Sequence, residues 1–302
     1  YFKSIPSAPK EILNLKPLYR INAVTNIKYE QQVAFIHREF TMAGIPLIVL
    51  KGFILSAYLY DDMSLRPSVD IDLLVHKDDF DKAYQLLQER GFLWRSSWRC
   101  LHRRLYRQMG HHLSLYNTKS HIHLELHDKL LPHNRSATVA LSGSWERLDS
   151  FTLNGGNYKF LCPEDLLLYL CLHSSMEAFS SLLHIYDIAS TIHMHTALDW
   201  KILIKRAKEE HCLKRLVIGC ALAADVFALD IPEIQKLMAD YVRLTKSNIY
   251  KQIINKIICS SGTSASNVKN KIYLDLALSD TLKDRISILI WKGMNYIAWV
   301  ND

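Results

Sequence analysis

The chain has 302 residues, long enough for roughly two domains. Hydrophobic residues are 49% and charged residues 22%, with only 10 Gly and 8 Pro, which excludes disorder as the main state and excludes collagen-like or low-complexity classes. The net charge of +7 suits an anionic partner such as a nucleotide, a nucleic acid or an acidic protein, without choosing among them.

Lys10 to Ala43 reads as helix, with Ala34, Phe35, Phe40 and Met42 on a partly apolar face and Gly44-Ile45-Pro46 as the break. Leu47-Ile48-Val49-Leu50 is a short, branched apolar run that reads as a buried strand. Lys51-Gly52 follows at once, and Phe53 to Tyr60 turns helical, giving a strand, a tight turn and a helix N-terminus. A loop with Pro67 leads to a second strand, Val69 to Val75. On it Val69, Ile71 and Leu73 face one way, and Asp70 and Asp72 face the other.

Asp78 is the expected cap of an amphipathic helix running to about Arg90, with Phe80, Ala83, Leu86 and Leu87 on one face and Gly91 as its stop. Residues 92–118 are β-like and basic. Arg90, Arg95, Arg99, Arg103, Arg104 and Arg107 alternate with Trp94, Trp98 and Tyr106, a mixture that can hold phosphates and stack bases. His121 to His127 is a further strand, with Ile122, Leu124 and Leu126 on one face and His121, His123, Glu125 and His127 on the other.

Composition shifts after Asn154-Gly155-Gly156-Asn157. Pro163 fits a first-turn proline, with Glu164 and Asp165 favourable beside it. Helical periodicity then runs through Leu166–His173, Leu182–Ile192, Trp200–Glu210, Leu213–Phe227 and Pro232–Leu244, and residues 260–266 read as a polar linker. The expected division is an N-terminal helical segment over 1–43, an α/β domain over 44–156 and a helical domain over 157–302. No apolar run reaches about 18 residues, so no membrane span is expected. The amino end carries no signal-peptide core. The six Cys form no C-x-x-C pair, so they read as reduced thiols of a cytoplasmic protein.

The chemistry concentrates on three acids. Two carboxylates at i and i+2 on one strand repel each other unless a cation sits between them. Hard Mg²⁺ suits one or two carboxylates plus phosphate oxygens. Glu125 on the other strand adds a third acid. Three such acids can hold two metals about 3.5–4 Å apart for in-line displacement at phosphorus. Lys51-Gly52 supplies helix N–H groups and a cation for phosphate. A zinc cluster of His121, His123 and His127 is excluded, because positions i, i+2 and i+6 spread over about 20 Å on a strand.

These features resemble the DNA polymerase beta-like nucleotidyltransferase superfamily and, within it, the bacterial family of uncharacterised nucleotidyltransferases. The matching residues are Leu50-Lys51-Gly52, Leu55, Tyr60, Arg66-Pro67, Asp70-Ile71-Asp72-Leu73-Leu74-Val75 and Leu124-Glu125-Leu126-His127, followed by Leu170 to His173, Tyr186-Asp187-Ile188-Ala189 and Asp199-Trp200. The resemblance implies an α+β fold: a small mixed sheet flanked by helices, followed by a mostly helical domain. It also implies transfer of a nucleoside monophosphate from a triphosphate such as ATP to an acceptor, with pyrophosphate released.

On that footing Asp70, Asp72 and Glu125 are the catalytic and metal-binding carboxylates, for two Mg²⁺ ions or Mn²⁺. Lys51, Gly52, Arg66 and His127 bind the nucleotide. The acceptor is open among small molecules, peptides, proteins and RNA, and no membrane partner is implied. It is expected to enter between the two domains, bordered by residues 90–112 and the helices holding His173 and Asp187. A toxin-like RNA-modifying enzyme and a degenerate nucleotide-binding scaffold are the alternatives. The second is kept open by Phe53, which stands where the superfamily places Gly or Ser after the turn glycine.

Overall fold

Leu47-Ile48-Val49 is apolar throughout, and in the computed structural model it forms β1 (Leu47–Val49), every residue of which is buried. The structure describes residues 15–94, 112–130, 142–240, 250, 276–282, 285–286 and 288–289. Among them the other strands are β2 (Ile71–Val75), β3 (Phe92–Trp94), β4 (His112–Asn117), β5 (Ile122–His127), β6 (Asp149–Leu153) and β7 (Gly156–Phe160). They form one seven-stranded sheet in the order β3-β4-β5-β2-β1-β7-β6.

The sheet is mixed. β1 pairs antiparallel with β2 and parallel with β7, and β2 pairs parallel with β5 in a register that sets Asp72 opposite Glu125. The fold is therefore the expected mixed sheet with helices. Chain contacts divide the molecule into two units. One comprises Tyr1–Arg95, Leu113–Asp128 and Ser150–Phe160; the other comprises Ser96–His112, Lys129–Asp149 and Leu161–Asp302.

In the first unit, α1 (Lys16–Met42) buries Asn26, Tyr29, Val33, Ile36 and Phe40. These positions step by three and four, the helical period of a one-sided core contact. Asn26 Nδ2 donates to Arg66 O at 2.8 Å and also to Met63 O, and Tyr29 Oη donates to Val69 O at 3.0 Å. α1 thus pins the loop that leads into Asp70. α2 (Phe53–Tyr60) contributes Ser56, whose Oγ donates to Asp62 O at 2.7 Å and accepts from Arg66 N at 3.1 Å. Its Tyr58 ring packs on Phe160 and Phe151.

Four local expectations change, and β6 and β7 form where no strand was expected. β2 begins at Ile71, so Asp70 lies in a bend just before the strand, and Val69 is 77% exposed rather than sharing a face with buried Ile71 and Leu73. Every residue of β2 is buried, and the strand lies inside the sheet between β1 and β5, so its alternation does not separate core from solvent. The N-cap of α3 (Phe80–Glu89) is Asp79 rather than Asp78, without a side-chain capping bond, and Tyr84 replaces Leu86 on its buried face.

Arg90, expected within the basic segment, donates to Glu39 and lies over the Phe35 ring at 5.4 Å. The rest of that segment, residues 95–111, lies outside the described residues, as do 260–266.

The second unit holds α4 (Pro163–Met176), α5 (Leu182–Met194), α6 (Trp200–Glu209), α7 (Leu213–Phe227) and α8 (Pro232–Asp240). Pro163 occupies the first turn of α4, as its fixed φ favours. α4 is buried from Asp165 to Leu172 because α5, α6 and α7 all pack on it. A Cβ at Gly219 of α7 would come within 2.7 Å of Cys171 Sγ, so glycine permits the close approach of α4 and α7. Cys162, Cys171, Cys212 and Cys220 are free thiols. Among the described residues no helix is long and apolar enough to cross a membrane.

Candidate functional site

Gly52 makes the corner between β1 and α2 with φ +69°, a conformation in which an L side chain is strained. A Cβ there would stand 3.2 Å from Ser68 Oγ and 3.7 Å from Asp70 O, so glycine also lets the returning chain lie close. The following residue, Phe53, is 2% exposed; its ring packs in the core and leaves the turn. The first N–H groups of a helix have no intrahelical partner, so the start of α2 offers donors beside Lys51.

Lys51 Nζ lies 3.2 Å from Asp72 Oδ2, and His127 Nε2 lies 3.2 Å from Asp72 Oδ1 and 3.3 Å from Glu125 Oε2. Asp72 is 3% exposed and His127 also 3%, whereas the Asp70 and Glu125 side chains reach the surface in part. One carboxylate oxygen from each of Asp70, Asp72 and Glu125 lies within 4.8 Å of the others. β5 therefore brings Glu125 to the pair formed by the bend and strand β2, more than fifty residues earlier in the chain.

The charges on these groups follow from their surroundings. Burial works to raise the Asp72 carboxyl, but Lys51 and the hydrogen bond from His127 outweigh it and hold Asp72 well below the usual carboxylate range. Among the described residues Asp70 has no such bond. Burial, and then the charge of Asp72, push it up to about 6. Burial opposes charge on His127, yet its bonds to Asp72 and Glu125 prevail and raise it to about 9. His127 is thus an imidazolium beneath the acids rather than an exposed ring. A carboxyl crowded this far above its ordinary value is what a hard cation would relieve, and an all-oxygen donor set of this spacing fits Mg²⁺ or Mn²⁺.

Arg66 is 6% exposed. Its backbone is held by Asn26 and Ser56, and its guanidinium lies 3.5 Å from Pro67 O. Sequence reading missed Ser68. Its Oγ is buried, has no hydrogen-bond partner among the described residues, and faces the space that a Gly52 side chain would fill. Nothing local marks a serine two residues before an acid; only the fold sets it against the turn. In the helical unit Asp187 is fully buried, and the His173 ring stacks on Tyr169 at 5.9 Å.

The family model described as uncharacterised nucleotidyltransferase matches residues 3–228. Among solved structures, the chain is similar to the crystal structure of an antigenic nucleotidyltransferase-like protein from Paracoccidioides brasiliensis. Identity is 18%, the match covers 78% of this chain and 95% of that one, and the TM-score is 0.41. No curated protein matches the chain.

Proposed function

The chain belongs to the uncharacterised nucleotidyltransferase family, and from that premise we propose that it transfers a nucleoside monophosphate from a triphosphate to an acceptor hydroxyl at the Asp70–Asp72–Glu125 site. The observation that carries this reading is the convergence of three carboxylates beside a lysine and a glycine turn.

The acceptor oxygen forms a bond to the α-phosphorus. The bridging bond from that phosphorus to the β-phosphate oxygen breaks, and pyrophosphate leaves. Lys51, the N–H groups at the start of α2 and the Ser68 hydroxyl bind the β and γ phosphates, because cation and donors gather there. Glu125, the more exposed of the two acids bonded to His127, faces the acceptor and takes its proton. His127 holds Asp72 and Glu125 at a fixed separation. Divalent magnesium or manganese, held by Asp70, Asp72 and Glu125, would neutralise triphosphate charge and acidify the acceptor hydroxyl. The remaining contribution is positioning and electrostatics.

The test is incubation of the full chain with magnesium and each nucleoside triphosphate over a pool of hydroxyl-bearing acceptors. Acceptor mass, pyrophosphate and triphosphate binding by calorimetry are the readouts. A mass gain of one nucleoside monophosphate, lost in Asp72→Asn, supports the reading. Failure of the wild type to bind any triphosphate sinks it.

A further inference from the structure

In an in-line displacement the attacking and leaving oxygens stand on opposite sides of phosphorus. Resting on the transferase reading, the leaving pyrophosphate sits at the Lys51–Gly52 corner after β1. The strand order β4-β5-β2-β1 then sets the acceptor on the other flank, over β5 and β4. That flank carries an aromatic cluster. His123 precedes Glu125 by two residues on β5 and so shares its face of the sheet, toward the Asp70 end of β2. The Tyr116 ring of β4 packs against His123 with centroids 4.6 Å apart and against His121 at 6.4 Å, and its hydroxyl lies 3.0 Å from His121 Nδ1.

His121 and His123 are exposed and Tyr116 is half-buried, so ring surface is presented beside the acids. The hairpin that bears it is braced. Asn117 Oδ1 accepts from Lys119 N and Ser120 N, and its amide donates to Arg90 O at 2.8 Å.

We propose that Tyr116, His123 and His121 form a stacking platform for the terminal base of a single-stranded RNA, whose ribose hydroxyl is the acceptor beside Glu125. Every base has a π-face to lay on such rings. A chain of net charge +7 complements a polyanion rather than a neutral peptide. The ribose oxygen bonds to the α-phosphorus, pyrophosphate departs, and the ribose proton passes to Glu125 and then to water.

The experiment is fluorescence anisotropy of a short 5′-labelled single-stranded RNA at mildly alkaline pH over a salt series, without metal or triphosphate. The full chain is compared with His123→Ala, Tyr116→Ala and Tyr116→Phe. His123 is exposed, so its variant folds even if Tyr116→Ala does not. Stacking predicts about tenfold weaker binding in His123→Ala and Tyr116→Ala. It also predicts an unchanged slope of log affinity against log salt, because no phosphate contact is lost. Tyr116→Phe keeps the ring and stays close to wild type.

Unchanged affinity in both alanine variants, or a shallower salt slope, overturns the platform. Transfer of label from radioactive triphosphate to a tyrosine-containing peptide but not to RNA overturns the choice of acceptor. Since the binding assay uses no triphosphate, failure of the wild type to bind triphosphate overturns the transferase reading separately. Loss of RNA binding in the variants with triphosphate binding intact supports both.

Discussion

Two buried carboxylates in this molecule are each held by two cations, one in each unit. Asp165, near the start of α4, is 1% exposed. It accepts from Arg147 Nε at 2.9 Å and Nη2 at 2.8 Å, and from Arg206 Nη1 at 2.8 Å. Asp72 in β2 is 3% exposed and is bonded to Lys51 and His127 at 3.2 Å each. The surroundings separate them. Around Asp165 both oxygens meet planar guanidinium forks at short range, which suits a permanent brace joining α4, α6 and the turn at Ser142–Arg147. Around Asp72 the bonds are longer, the partners are a flexible ammonium and an imidazolium shared with Glu125, and two more carboxylates stand within 4.8 Å. A brace uses all the capacity of its acid, whereas this second arrangement holds acids together that would otherwise repel.

The two acids should differ most in what their loss does, and Asp72 shows the larger effect on chemistry. Asp72→Asn should reduce transfer by about 1,000-fold, equivalent to about 4 kcal/mol of barrier. Lys51 can then turn to water and His127 keeps Glu125, so urea unfolding should shift by no more than about 1 kcal/mol. An unfolding shift as large as that of the next variant would make Asp72 a brace too. Asp165→Asn should have the reverse profile. It leaves two guanidiniums facing a neutral amide, and unfolding free energy should fall by about 3 kcal/mol. That is the lower end of the range for a broken buried pair, because both arginines are partly exposed.

A smaller effect is expected at Lys51. Lys51→Ala should weaken triphosphate binding by about 2 kcal/mol, measured by calorimetry, through loss of a charge-assisted contact. Lys51→Arg should restore it only in part, since a planar fork does not replace a point charge. Full binding by the alanine variant would make Lys51 only a counter-charge for Asp72. The smallest effect belongs to Asp70, the crowded acid. Asp70→Asn should raise the stability of the metal-free protein by up to about 1 kcal/mol, because it removes like-charge crowding. Magnesium should raise the melting temperature of the wild type and not that of the variant. An equal rise in both would place the cation elsewhere.

Much of the fold could be read from the chain because it rests on local period. Phe53–Tyr60 and Leu213–Phe227 form as helices over those bounds, and β1 follows from three consecutive branched or apolar residues. The acids Asp70, Asp72 and Glu125 could also be picked out by type and spacing, and their oxygens converge. What the pattern could not supply was which side of each acid is buried. Asp70 sits in a bend and Val69 in solvent, although alternation set both within a strand. The brace at Asp165 was invisible for the same reason: Glu164 and Asp165 look alike as first-turn acids, and only the packing of α6 and of the Ser142–Arg147 turn makes one of them a buried ligand for two arginines.

Local pattern was enough for most of the helices, for the strands that carry the acids, for the turn glycine and for the list of available acids, since these depend on neighbours a few residues away; it marked neither β6 nor β7. The tertiary structure alone decided that β5 lies beside β2, so that Glu125 and His127 meet Asp72 across the ladder. It also set Ser68 against Gly52 and gathered Tyr116 with His123 on one face. Those meetings join residues far apart in the chain through strand order and burial. Strand order is fixed by which apolar faces can be covered at once, a property of the whole core that no single segment carries.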